Sequence, residues 1–237
     1  MTTAGRKRTV PPPGSPSTPA AGVMAPDVVR PRAHRPRAAT VERREKILQA
    51  AMETFGARGY HNGSLAEVAE RVGMTQAGVL HHFGSKDLLL LEVLEYRDRS
   101  DVEHLEGRRP PGGLGLFRHL VKTARINAGR PGIVQTYAVL SAEAVTDDHP
   151  GQDWFRARFS TLRQTVSDAL IEVCDADDLP DPADVDAAAA SVLAVMDGLQ
   201  IQWLLARDVV DLGRSTALAI EAILSAVVAG RERRRLL

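Results

Sequence analysis

Apolar residues recur along this chain at intervals of three and four, the period that gathers them on one side of an α-helix, and nowhere sustain the alternation of a strand. Ile47, Ala51 and Phe55 share a face of a helix predicted over about 40–57, with Gly59 as its stop. Leu65, Val68, Ala69 and Val72 mark a second, short helix, opened by Ser64 and Glu67 in the spacing of a capping box and broken at Gly73. Thr75 is a good N-cap for a third helix to about His82, and Ser85 caps a fourth that runs through Leu88, Leu89 and Leu91 to about Asp101. Two short helices meeting at a tight glycine-containing turn are a helix-turn-helix, whose second member lies in the major groove of DNA.

Turn-forming clusters at 108–113, 129–132, 147–151, 179–182 and 211–213 divide the rest into five further helices, predicted over 114–128, 132–146, 152–174, 183–207 and 214–232. Residues 1–39 differ in kind. Eight prolines interrupt them, and Arg6, Lys7, Arg8, Arg30, Arg32, Arg35 and Arg37 face only Asp27, so they read as a disordered basic arm. The stretch Arg30 to Arg37, next to the helix-turn-helix, is the part expected to meet phosphates or a minor groove. The whole chain has a formal net charge of zero, so everything after the arm is net acidic. That polarity keeps nucleic acid a candidate partner where the bulk charge alone argues against it.

Composition narrows the class further. Aromatics make up 4% of 237 residues, while alanine and leucine abound, which favours helices over sheets. Cys174 is the sole cysteine, so no intrachain disulfide or cysteine-based metal site exists, and a reducing cytoplasm fits. No apolar stretch of signal-peptide length follows the first residues. The segment 187–206 comes nearest to a membrane span, but Asp197 at its middle makes a buried helix of a soluble protein the better reading.

The segment ILQAAMETFGARGY (47–60), the helix-turn-helix and the closing HHFGSKDLLL (81–90) together resemble, in order and spacing, the N-terminal domain of TetR-family transcriptional regulators. Residues 196–212 are similar to the penultimate helix of betaine-regulator-type members. The resemblance implies an all-α fold: a three-helix DNA-binding domain at 40–96, then a helical effector-binding and dimerisation domain at 97–237. It further implies a homodimer joined by its last two helices, a palindromic operator, and a small-molecule effector whose binding releases the DNA. The two last predicted helices are apolar around more of their circumference than a one-sided helix needs, which independently points to a further partner surface.

Candidate chemistry follows from helix geometry. If Val79 and Phe83 face inward, Ala77 and His81 face the groove, flanked by Gly78 and Leu80. Gln76 suits an adenine edge, Ala77 a thymine methyl, and His81 a guanine or an amino group, while Gly78 permits close approach. Thr75, His82 and Lys86 are placed for phosphates. Family members often carry a tyrosine where this chain has Leu80, so packing on a thymine methyl is its expected substitute role. Candidates for an effector pocket are Phe117, Tyr137, Leu140, Glu143, Phe155, Phe159, Met196, Gln200 and Trp203, any one of which taken singly reads better as ordinary core.

Other readings are weaker. His81 and His82 point about 100° apart, a poor shared metal site, and Asp147, Asp148 and His149 read as a solvated turn. Cys174 reads as a structural thiol. No nucleophile and base pair, phosphate-binding glycine loop or metal-ligand spacing suggests an enzyme, and no cofactor is expected. The alternative to a probable-repressor reading from this pattern is an α-helical small-molecule or protein-binding module without specific DNA binding.

Overall fold

The structure, a computed structural model, describes residues 38–102, 111–174, 177 and 179–228; the basic arm and the last nine residues lie outside it. Among the described residues the chain is all-α: α1 (Ala38–Asn62), α2 (Leu65–Arg71), α3 (Gln76–Phe83), α4 (Lys86–Val102), α5 (Gly113–Asn127), α6 (Pro131–Glu143), α7 (Gln152–Glu172), α8 (Pro182–Leu205) and α9 (Leu212–Val228). Helix ends agree with the periodicity to within a few residues. Gly59, expected to stop α1, does break it: its φ 74° and ψ 174° are non-helical, and a short further turn runs on to Asn62 beyond the kink. The kink frees the backbone N–H of Tyr60, which donates to the carboxylate of Glu143 at 2.6 Å, a partner 83 residues away that no local pattern reveals.

Three apolar clusters hold the helices. In the first, Ile47, Ala51, Phe55, Val68, Val79, Phe83, Leu90 and Val93 pack together and continue without a gap into Tyr137, Leu140 and Phe155. The DNA-binding segment therefore shares its core with α6 and α7. The second cluster joins α5, α7, α8 and α9 through Leu116, Phe117, Val166, Leu170, Val192 and Ile220; the third joins Ala124, Val134, Trp203 and Leu212. Leu140, Phe155, Phe117 and Trp203, four of the candidate pocket residues, are thus packing residues, each less than 5% exposed.

α1 and α6 meet through polar contacts as well as apolar ones. Thr136 Oγ1 donates to the carbonyl of Met52, and Gln135 Nε2 to that of Gly56. A Cβ on Gly56 would fall 2.4 Å from Thr136 Oγ1, so glycine is what lets the two helices approach. α4 passes position 97 without interruption, from the helix-turn-helix into the body.

The loop 147–151 corrects one expectation. Asp147 and Asp148 are exposed, but His149 is not solvated. Asp148 takes φ 61°, turning the chain inward, and the His149 ring is fully buried with its edge 5.3 Å from Tyr60. Its Nδ1 accepts from Gly151 N at 3.1 Å, and its Nε2 lies 4.0 Å from Glu143. Burial lowers the pKa of His149, against the opposing pull of Glu143, so the ring is neutral.

Candidate DNA-reading helix and effector cavity

The helix-turn-helix is built by its caps. Ser64 Oγ accepts from Glu67 N at 3.0 Å and Thr75 Oγ1 from Gly78 N at 3.1 Å, each satisfying a first-turn donor. Glu67 does not complete the box; its carboxylate turns to Arg58 at 2.9 Å and Arg71 at 3.4 Å. On α3, Val79 and Phe83 are buried, while Gln76, Ala77 and His81 are exposed, as the helical spacing requires. Leu80 is half-buried against the first core cluster, which leaves it less free for a base than its sequence position suggests. A Cβ on Gly78 would come within 3.1 Å of Met74 and 3.3 Å of Thr75, so its smallness also serves the turn itself.

Arg44 of α1, a residue the sequence reading passed over, fastens the far end of α3. Its guanidinium lies 4.2 Å above the Phe83 ring, donates to the His82 carbonyl and pairs with Glu92 of α4. Burial lowers the pKa of His82, with His81 and then Arg44 adding to it, so its imidazole is neutral. Lys86 is turned toward the body: its ammonium sits 4.4 Å above the Tyr60 ring and donates to the His61 carbonyl at 3.3 Å. Desolvation lowers its pKa. Ser85 Oγ accepts from Leu88 N, leaving the start of α4 well capped.

In the body a cavity of roughly 390 Å³ opens between α4, α5, α6, α7 and α8. Of the nine candidates, Tyr137, Phe159, Met196 and Gln200 line it. Glu143 does not, being held at the joint with α1 by Tyr60. Leu116, Leu120, Leu162, Val166 and Leu193 supply its remaining apolar wall. Five charged residues that sequence reasoning missed as pocket residues also line it: Arg97, Asp98 and Arg99 of α4, Arg158 of α7 and Asp197 of α8. Asp98 bridges the two guanidiniums, accepting from Arg97 Nη1 at 3.2 Å and from Arg158 Nη1. Burial lowers Arg158 to a pKa of about 9, and raises Asp197 to about 6 even though both arginines pull it down. Two buried polar atoms on this wall, Arg158 Nε and Gln200 Oε1, have no hydrogen-bond partner among the described residues.

Residues 47–93 match the family model of bacterial regulatory proteins of the tetR family, and residues 127–228 that of the C-terminal part of BetI-type transcriptional repressors. The chain belongs to the TetR family of transcriptional regulators. It is 28% identical over 183 residues to the helix-turn-helix regulator ArpR of Pseudomonas putida, covering 72% of this chain and 84% of that one. A transcriptional regulator from Rhodococcus sp. RHA1 shares its fold with a TM-score of 0.62 at 21% identity, over 79% of this chain and 96% of the other. A regulator from Saccharomonospora viridis, solved in complex with choline, does so with a TM-score of 0.57 at 22% identity, over 81% and 100%. These TetR-family relatives are regulators rather than enzymes.

Proposed function

We propose that this TetR-family protein is a cytoplasmic homodimeric repressor that reads a palindromic operator with two copies of α3 and lets go when a small molecule fills the cavity. The observation that carries the reading is the outward strip Gln76, Ala77 and His81 on a helix whose back is fixed by Val79, Phe83 and Arg44. A rigid helix with a free polar edge is what base readout requires. In this reading residues 40–96 are the DNA-reading unit and 97–237 the effector and dimer unit. Thr75 and His82 are assigned to phosphates, and Lys86 joins them only by leaving its seat on Tyr60.

The dimer assignment rests on α8 and α9. Along α8 the exposed positions Ala183, Ala187, Ala190, Ala194, Ile201 and Leu205 recur at helical spacing, and on α9 Leu218, Ala222 and Ser225 do the same. α8 is long and apolar enough, with a mean hydropathy of 1.4, to cross a membrane by length and composition, yet only 33% of that window is buried. A second copy of the same two helices accounts for such a surface without a membrane, and Asp197, which lines the cavity, makes a lipid setting costly.

Coupling follows from shared helices. α4 gives Arg97 and Asp98 to the cavity and starts one residue after the α3 cap region; α6 gives Tyr137 to the cavity and grips α1 through Gln135, Thr136 and Glu143. A ligand that moves either helix moves the DNA-reading unit with it. An effector that favours the non-binding geometry by about 1–3 kcal/mol weakens operator binding roughly 5–150-fold. The similar fold of a regulator solved in complex with choline is in keeping with a small-molecule effector.

The test is selection of bound sequences from a random double-stranded pool by the purified protein at two salt concentrations. An inverted repeat whose half-sites sit about one helical turn apart is expected. Weak, salt-sensitive binding without a motif would return the protein to the class of helical binding modules, a reading favoured by the half-buried Leu80.

A further inference from the structure

We propose that the cavity is built for an organic anion, an apolar monocarboxylate, and against a cationic ligand; this rests on the effector reading above. Three observations carry it. First, Arg158 spends Nη1 on Asp98 while its Nε, buried on the cavity wall, has no acceptor. A buried guanidinium N–H without an acceptor is costly, and a ligand carboxylate supplies a charge-assisted partner. Second, Tyr137, one of the aromatic rings on the wall, already faces two cations. Arg97 lies 4.1 Å and Arg158 5.8 Å from its centre. A cation placed there would meet like charge on its best surface. Third, the rest of the wall is mainly apolar surface, with Leu116, Leu120, Phe159, Leu162 and Met196 suited to a hydrocarbon body beside a few polar side chains such as Thr123 and Asn127.

Asp197 is the group that tunes the site. It shares the cavity with Arg97, Asp98 and Arg99 of α4, His119 of α5, Tyr137 of α6 and Arg158 of α7. Ionised, it repels a carboxylate; protonated, it donates to one. Burial already holds its carboxyl at about 6, so a bound carboxylate raises it further and takes up a proton. Affinity for the anion therefore increases as pH falls through the range around 6. Asp197→Asn removes this dependence.

The experiment is calorimetric titration of the full chain with three probes of one body and different heads: octanoate, octanamide and octyltrimethylammonium, at pH 6 and pH 7.5. Octanoate is expected to bind at least tenfold more tightly than either of the others and more tightly at pH 6. Asp197→Asn is expected to strengthen octanoate severalfold at pH 7.5, and Arg158→Met to erase the preference for the acid over the amide. Should Arg158→Met not fold, Asp197→Asn and the probe order in the natural protein still decide. Equal or tighter binding of octyltrimethylammonium or octanamide, or no binding of octanoate at millimolar concentration, overturns the proposal. Operator release is measured separately with the DNA selected above. Octanoate bound with the expected preference but without release would leave the anion site standing and remove the effector reading; release by octyltrimethylammonium would do the reverse.

Discussion

At the scale of single residues, Gly59 shows how one backbone conformation joins the DNA-reading unit to the body. Its φ of 74° and ψ of 174° fall in a region open essentially to glycine, and a Cβ there would lie 2.0 Å from Glu143 Oε1. The same geometry aims the Tyr60 N–H at Glu143. Gly59→Ala must either straighten the kink and lose that hydrogen bond or push Glu143 away. A cost of about 2–4 kcal/mol is expected, combining strain with the lost charge-assisted bond. For a domain of this size that lowers Tm by roughly 5–15 °C in thermal unfolding. A change of less than a degree or two would mean that the kink is not held as tightly as its contacts imply. Glu143→Gln, which keeps an acceptor oxygen, should cost less than the glycine substitution.

At the scale of helices, the three- and four-residue rhythm of apolar positions was enough to read every described helix and the inward pair Val79 and Phe83 on α3, because burial follows that rhythm directly. What escaped was the role of charges sitting on the rhythm. Arg44 precedes Ile47, Leu48 and Ala51; Arg97 follows Val93 and Leu94; Arg158 stands between Phe155 and Phe159; Asp197 adjoins Met196 between Leu193 and Gln200. Each turned out to clamp a neighbouring helix or face the cavity. Periodicity marks such a residue as an interruption but cannot name its partner, which comes from a helix distant in sequence. His149 escaped for the same reason: its polar neighbours Asp147 and Asp148 are local, whereas the Tyr60 ring that covers it is not.

This distinction between readers and clamps on α3 has a measurable consequence. Gln76 and His81 are exposed and free to meet bases, so Gln76→Ala or His81→Ala should weaken operator binding by about 1–3 kcal/mol and relax the preference at one base pair. Arg44 touches the back of α3, its carbonyl end and α4. Arg44→Met, which keeps most of the packing volume, should lower affinity for operator variants by a common factor and leave the base preference intact. Binding of a panel of single-base operator variants separates the two. Loss of preference in the Arg44 variant would make it a reader through its own side chain, and unchanged preference in both others would remove them from the reading strip.

At the scale of the whole molecule, the fold has an apolar surface that one chain does not cover. Ile201 is 49% exposed, Leu205 83% and Leu218 69%, on α8 and α9 faces turned away from the core. Small residues between them, Ala190, Ala194 and Ala222, permit close helix approach. A stable interface needs on the order of 1,200–2,000 Å² in total, which two long helices from each copy are able to supply. Introducing charge there tests the arrangement without touching the core of the single chain. Ile201→Glu with Leu218→Glu should halve the mass seen in sedimentation at micromolar concentration, since two carboxylates from each copy would be buried without partners. Circular dichroism should still report a helical protein if each chain's three apolar clusters suffice to hold it. The operator is then bound by one α3 rather than two, so affinity for the inverted repeat should fall to that for a single half-site. A variant that stays dimeric would place the interface on another face, whereas one that is monomeric yet binds the full repeat undiminished would show that the two reading helices need no fixed spacing.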